Sequence, residues 1–182
     1  MKRLGIIFIL LIAWVTTYGQ NLKTDSHNFE VMCRLGNIRS EFTSMLKETA
    51  LSSVSISYDY KIGNRIGVGV GGGYDVLKLA PMPGAISNDF NCKEWSVFGT
   101  IRGYLPTASK WLDITGVLDM GVAYLDAEII SVPKEVFVYS PQLGVRFNTS
   151  DICGVDINMR LFYKGYPKLE AGAYGFMIGL SF

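Results

Sequence analysis

The feature that most constrains this chain is an alternation of apolar and polar residues that runs through most of its length. Successive side chains of a β-strand point to opposite faces, so strict alternation predicts strands with one apolar and one polar face. The pattern is plainest in residues 170–182, at the end of the chain. The apolar face of this segment consists of Tyr174, Phe176, Ile178, Leu180 and Phe182.

About eight segments follow this pattern, which indicates about eight strands. They lie near residues 27–37, 53–62, 65–76, 93–104, 111–124, 135–147, 155–163 and 170–182. Short links alternate with mostly longer ones along the chain, as in membrane barrels, which have short turns on one side and longer loops on the other. The last long-side link, residues 164–169, is as short as a turn. The sequence predicts an all-β, antiparallel, up-and-down transmembrane β-barrel.

The first 19 residues have the pattern of a secretory signal peptide. Lys2 and Arg3 precede an apolar run from Leu4 to Val15, and Thr17-Tyr18-Gly19 provides a small-residue cleavage site. The apolar run is shorter than the roughly 20 residues that a spanning helix needs. We therefore expect a signal peptide over residues 1–19 and a single barrel domain over residues 20–182.

The apolar face must point either to lipid or to a ligand-binding interior, as in a soluble lipocalin-like barrel. Aromatic residues on this face gather at strand ends, as the girdles of membrane barrels do. One expected girdle contains Tyr74, Trp95, Tyr124, Phe137, Tyr139, Tyr163 and Tyr174; the other contains Phe29, Tyr58, Tyr60, Phe147 and Phe182. The middle of the apolar face carries almost no charge. Both features favour an apolar exterior in lipid and a polar lumen.

The leader, the eight alternating segments and the ending YGFMIGLSF together resemble the small outer-membrane β-barrel family, often labelled porin-family or outer membrane protein β-barrel domain. The resemblance covers Gln20 to Phe182. It implies a location in the outer membrane of a Gram-negative bacterium, contact with lipid and lipopolysaccharide, and recognition of the last strand by the barrel-assembly machinery. The Tyr-Gly-Gln around the expected cleavage site resembles signal peptides of the Bacteroidetes.

The polar face carries charges of both signs along the whole barrel. Its central members are Arg102, Asp119, Arg146, Asp156 and Arg160. The interior of an eight-stranded barrel is just wide enough to be filled by side chains, so these residues are expected to form structural ion pairs that plug the lumen. A narrow pore for ions or small solutes is the alternative.

No catalytic motif is apparent. His27 is the one histidine in the sequence, and it falls at the predicted periplasmic end. Lipid A-modifying barrel enzymes, which this chain resembles in fold only, place histidine and serine at the outer leaflet. The serines expected there, Ser40, Ser44, Ser52 and Ser87, have no histidine near them. We expect no enzyme activity.

Two further motifs are weak. Gly67, Gly69 and Gly72 match G-x-G-x-x-G, but a dinucleotide site needs a helix after the glycines and an alternating strand continues instead. Cys33, Cys92 and Cys153 are odd in number and widely spaced, which excludes a fully paired disulfide framework and a CxxC metal site. We expect no cofactor and no metal.

A formal charge of +1 provides no field of one sign that would attract nucleic acid. We expect a non-enzymatic outer-membrane barrel that supports the envelope or binds an extracellular ligand through its outer loops. The narrow pore is the second hypothesis, and a lipid A-modifying enzyme or a soluble ligand-binding barrel follow it.

Overall fold

The protein is an eight-stranded antiparallel barrel that closes between its first and last strands. The computed structural model describes residues 27–40, 50–62, 65–79, 90–127 and 133–182. The strands are β1 His27–Ser40, β2 Ala50–Ile62, β3 Ile66–Leu79, β4 Phe90–Pro106, β5 Leu112–Ala127, β6 Glu135–Phe147, β7 Asp156–Tyr166 and β8 Ala171–Ser181. Each pairs with its neighbours in sequence, so the predicted fold class is confirmed. The expected leader lies outside the described residues.

The barrel closes where its first strand pairs with its last. β1 pairs with β8 from Glu30↔Ser181 to Ser40↔Ala171. Beyond this register, Phe29 and Phe182 exchange two backbone hydrogen bonds of 3.2 and 2.9 Å. We call the end that carries His27 and Phe182 the inner end, and the opposite end the outer end.

The faces are those predicted from the alternation. In β6, Val136 and Ser140 are buried inside the barrel, whereas Phe137 and Leu143 lie on the outer wall with 51% and 63% of their surface exposed. Similar alternation holds along β4, where Glu94 is buried and Val97 is exposed. The apolar face is therefore the exterior, and the polar face lines the interior.

Several strands extend beyond their predicted ends. The sequence predicted a loop over residues 164–169, but β7 continues to Tyr166 and only Pro167–Leu169 form a 3-10 turn. Lys164 is therefore a buried interior residue and not a loop residue. It shares the face of Phe162 and Tyr166, which alternation places inward.

The link between β6 and β7 contains a short helix, α1 Ser150–Cys153, where the sequence predicted only a turn. Gly154 ends α1 with a φ of 79°, a left-handed conformation that glycine adopts without strain. Asp156 accepts the Ser150 N–H at 2.8 Å, and the Asn148 side chain bonds the Lys110 carbonyl of the neighbouring turn. No helix among the described residues is long and apolar enough to cross a membrane.

Candidate functional site: the charged and apolar layers of the lumen

The middle of the lumen is organised around one carboxylate. Glu30 on β1 accepts two hydrogen bonds from Arg102 on β4, at 3.1 and 2.7 Å, and two from Arg160 on β7, at 2.8 and 2.5 Å. All three residues are at most 2% exposed. Two bidentate guanidinium contacts use the full acceptor capacity of a carboxylate. This cluster ties β1 to strands across the barrel.

A second cluster lies towards the inner end. Arg146 pairs with Asp156 on the adjacent strand and donates to Asn28 at 3.2 Å. Asn28 donates to Asp59 at 2.9 Å, and Asp59 also lies 3.2 Å from Arg102 of the central cluster. The network of hydrogen bonds and ion pairs is therefore continuous from the inner end to the middle of the barrel.

A third cluster lies towards the outer end and contains a buried lysine. Lys164 Nζ donates to both Asp75 on β3 and Glu94 on β4. The Tyr166 hydroxyl donates to Glu94 at 2.6 Å. Since one ammonium faces two carboxylates that are 0% exposed, each carboxylate depends on Lys164 for compensation of its charge.

The central and outer clusters are separated by a looser pair. Arg34 lies 3.6 Å from Asp119, which also accepts a 2.6 Å hydrogen bond from Gln142. Arg34, Phe98 and Asp119 form walls of two neighbouring cavities of about 10 Å³ each, and 10 Å³ has room for about one water molecule.

The outer half of the lumen also contains a cluster of apolar side chains. Phe162, Val138 and Leu125 belong to a buried cluster at this level. Its members are Met32, Leu51, Leu77, Cys92, Ala123, Leu125, Val136, Val138, Phe162, Tyr166, Ala173 and Met177. Apolar and charged side chains are therefore mixed in the outer half of the lumen, since Tyr166 belongs to the apolar cluster and also donates to Glu94.

The five lumen residues predicted from the sequence all lie inside the barrel but in different layers. Arg102 and Arg160 share Glu30, Arg146 pairs with Asp156, and Asp119 faces Arg34. Their role as pore-lining or plugging residues stays a prediction.

Sequence reasoning placed charges of both signs on the polar face but did not single out Glu30 and Arg34, and it misplaced Lys164. The alternating pattern assigns a residue to the interior, but it does not tell which residues meet across the lumen. That depends on the stagger of eight strands.

The residues of the predicted assembly signal lie on the outer wall. Tyr174, Phe176 and Ile178 are 49%, 39% and 45% exposed, and Leu180 and Phe182 are partly buried. Their recognition by the assembly machinery stays a prediction.

Aromatic side chains gather at both ends of the wall. Tyr74 and Trp95 are register partners whose ring centroids lie 4.4 Å apart near the outer end. Phe29 and Phe182 lie 6.3 Å apart at the inner end. The two groups therefore occupy opposite ends of the exterior.

His27 is at the inner end, on the outer wall. Its Nδ1 is hydrogen-bonded to the Tyr58 hydroxyl, and its ring packs edge-on against Tyr60 with centroids 5.3 Å apart. It therefore lies far from the outer end, where the sequence placed the candidate serines. Among the described residues, no three His, Cys, Asp or Glu side chains are grouped so that they could hold a metal ion.

Comparison with solved structures finds the same fold in small bacterial barrels. Neisserial surface protein A (NspA) matches with a TM-score of 0.64 and 12% identity, over 85% of this chain and 95% of NspA. The attachment invasion locus protein Ail of Yersinia pestis matches at 0.50 and 13%, over 86% and 98%. The outer membrane enzyme PagL matches at 0.52 and 11%, over 82% and 97%. No protein-family model and no curated protein matches the chain.

At these identities the likeness concerns the fold alone. A barrel with this fold is found both in a surface protein and in an enzyme, so the fold does not decide the activity. The function therefore depends on the residues of the lumen and the wall.

Proposed function

We propose that this chain is a non-enzymatic barrel of the bacterial outer membrane, with a plugged lumen and with its function on its surface. The observation that carries the proposal is the filled interior: three charged clusters, the Arg34–Asp119 pair and an apolar cluster together occupy the lumen from the inner to the outer end. Removing one partner of a buried ion pair costs about 3–5 kcal/mol, so a permeating ion that displaced one would meet a high barrier.

The location in a membrane is supported by the exterior. Val97, Leu161 and Val70 expose 73%, 67% and 63% of their surface around the middle of the wall. An exposed apolar band of this kind between aromatic girdles is typical of barrels in lipid. The fold shared with NspA, Ail and PagL supports the outer membrane in particular. The signal peptide and the Bacteroidetes-like origin remain predictions.

The proposed partners are outer-membrane lipid, lipopolysaccharide and, during insertion, the barrel-assembly machinery. An extracellular ligand would meet the segments that join the strands at the outer end. Residues 41–49, 80–89, 128–134 and 167–170 carry the acidic Glu41, Glu48, Asp89, Glu128 and Glu170 against the basic Lys47, Lys134 and Lys168, so acidic side chains are in excess. Ail has been crystallised with a heparin analogue, sucrose octasulfate. A polyanion of that kind does not suit the acidic segments of this chain, so we propose a neutral or cationic ligand.

PagL has the same fold and is an enzyme, which raises the question of activity here. The single histidine of this chain is hydrogen-bonded to Tyr58 at the inner end. A general base at the outer end would therefore have to be a group other than histidine, and the buried carboxylates near that end, Asp75 and Glu94, both accept hydrogen bonds from Lys164. This favours a barrel without catalytic activity.

Conductance across a planar bilayer tests the proposal. Purified barrel whose folding has been verified by a heat-dependent gel shift is expected to give no stepwise conductance. An Asp113→Asn variant, altered at a half-buried carboxylate near the inner end, should be equally silent. Regular steps in the wild-type protein that change in size on Arg146→Ala or Asp119→Ala would overturn the plug and favour the narrow pore.

A further inference from the structure

Two small cavities adjoin each other in the middle of the lumen. They share walls formed by Arg34, Phe98 and Asp119, and each has a volume of about 10 Å³. The first cavity extends towards the outer end, where Ser140 and Lys164 also line it. The second extends towards the central cluster, and its walls include Glu30, Arg102 and Arg160. The two cavities therefore lie between the outer and the central charged clusters.

The residues that line these cavities carry buried polar atoms without partners. Arg34 Nε and Ser140 Oγ have no hydrogen-bond partner among the described residues, although the two residues are only 3% and 4% exposed. Arg102 Nε, from the wall of the second cavity, is likewise unpaired within the described part of the chain. Buried polar groups are almost always hydrogen-bonded, either to protein or to an ordered water. Each cavity thus has a wall residue with an unpaired buried donor.

The ion pair in the shared wall is too long for a direct hydrogen bond. Arg34 Nη2 lies 3.6 Å from Asp119 Oδ2, and a polar contact at that distance is typical of groups bridged by a water. A guanidinium can only donate and an ionised carboxylate can only accept. A molecule that bridges Arg34 and Asp119 must therefore accept a hydrogen bond from one and donate a hydrogen bond to the other.

Charge and size together identify the occupant. Charges of both signs line each cavity: Arg34 and Lys164 face Asp119 in the first, and three arginines face two carboxylates in the second. An ion of either sign would lie beside a like charge in a region shielded from solvent, where such a contact is strongly unfavourable. A neutral molecule with both donors and acceptors avoids this cost. Since 10 Å³ has room for about one water molecule, water is the molecule that fits.

We propose that each cavity binds one water molecule and that the two waters join the outer charged cluster to the central one. In the first cavity, Arg34 and Ser140 supply unpaired groups, and Lys164 has one N–H left after its bonds to Asp75 and Glu94. The lumen then contains one polar network from its inner to its outer end. The inference rests on the plugged lumen proposed above, because an open lumen would contain exchanging bulk water and not two bound molecules.

X-ray radiolysis tests for the bound waters, because hydroxyl radicals formed from a bound water oxidise the side chains beside it. Phe98 is 6% exposed and lines both cavities, whereas Phe162 is 4% exposed and lines neither of them. Folded protein in phosphatidylcholine vesicles is exposed to a short X-ray pulse, and oxidation of each residue is measured by mass spectrometry. We expect Phe98 to be oxidised several-fold faster than Phe162, although both rings are buried.

Ser140→Val is designed to displace the first water, because it replaces the hydroxyl with two methyl groups that fill the cavity. It should lower the oxidation rate of Phe98 and leave that of Met177, which lines the second cavity alone of the two. If valine prevents folding, Ser140→Ala removes the hydroxyl and should have the same effect to a smaller extent. The matched control is Ser53→Val: Ser53 is also buried with an unpaired hydroxyl, but it lines neither cavity. It should not change the rate at Phe98.

Water labelled with oxygen-18, added just before the pulse, distinguishes bound from bulk water. The label is expected to reach Phe98 and Met177 only after a delay, as bound water exchanges. Equal, slow oxidation of Phe98 and Phe162 would overturn the bound waters and leave the proposed plugged barrel intact. So would equal effects of Ser140→Val and Ser53→Val on Phe98. Fast oxidation with immediate labelling would show a lumen open to bulk water, which overturns the bound waters and the plug together.

Discussion

Glu30 is the residue on which the charge balance of the lumen depends, because two arginines share its carboxylate. Glu30→Gln keeps the shape but leaves Arg102 and Arg160 without their common counter-charge. Breaking a buried ion pair in this way costs about 3–5 kcal/mol. We expect a loss of that size in the free energy of unfolding, measured by urea titration in lipid vesicles.

Asp113→Asn is the matched control for this measurement. Asp113 is half-buried near the inner end and accepts a 3.0 Å hydrogen bond from Asn148. An exposed or half-exposed charge contributes about 0–1 kcal/mol. If both variants lost the same small amount, Glu30 would not be the central charge of the lumen.

Two glycines on neighbouring strands test whether a substitution destabilises the barrel through a steric clash or merely because it lies in a strand. A Cβ at Gly144 would lie 2.0 Å from the Met159 carbonyl and 2.6 Å from the Cα of Arg160, whereas a Cβ at Gly116 meets nothing within 4 Å. Gly144→Ala should therefore force β6 and β7 apart and destabilise the barrel by about 1–3 kcal/mol. Gly116→Ala should be neutral or slightly stabilising, because alanine loses less backbone entropy on folding. Urea titration of both variants checks this, and similar midpoints would contradict it.

At the scale of the element, β8 closes the barrel against β1, and it is also the strand that the assembly machinery is predicted to recognise. Phe182→Ser removes a ring that lies 6.3 Å from Phe29, and Phe147→Ser removes a partly buried ring from the same end of β6. Neither substitution removes a ladder hydrogen bond. We expect similar, small losses of stability in detergent, but a several-fold loss of folded protein in the outer membrane for Phe182→Ser alone.

Quantitative blotting of outer-membrane fractions measures this difference. An equal loss for the two variants in cells would mean that the last residue acts only through packing, and that the machinery does not recognise it in this chain.

The strands could be predicted from the sequence because alternation is a local property. Val136, Val138 and Ser140 point inward for the same reason that Phe137 and Tyr139 point outward. The ends of strands were less predictable. Lys164 next to Gly165 has the composition of a loop, and only the continued alternation to Tyr166 places it in β7.

At the scale of the whole molecule, the contacts inside the lumen were beyond prediction. Glu30 and Arg160 are 130 residues apart in sequence, and their contact depends on barrel closure and strand stagger. The exterior, by contrast, was assigned to lipid from its aromatic girdles and its lack of charge, and a pair of arginine substitutions tests that assignment.

Leu161 lies on the outer wall in the middle of β7 and is 67% exposed. In a bilayer, Leu161→Arg should cost about 2–4 kcal/mol, whereas Ile62→Arg, at the inner end of β2, should cost about 0–1 kcal/mol. In water, both are exposed substitutions, and each should change stability by within about 0.5 kcal/mol. Urea titration in phosphatidylcholine vesicles gives the difference between the two variants. The two positions are both exposed and differ in their depth in the bilayer. A large loss of stability for Leu161→Arg alone therefore supports a lipid-facing exterior. Equal, small losses for both variants would contradict a lipid-facing exterior.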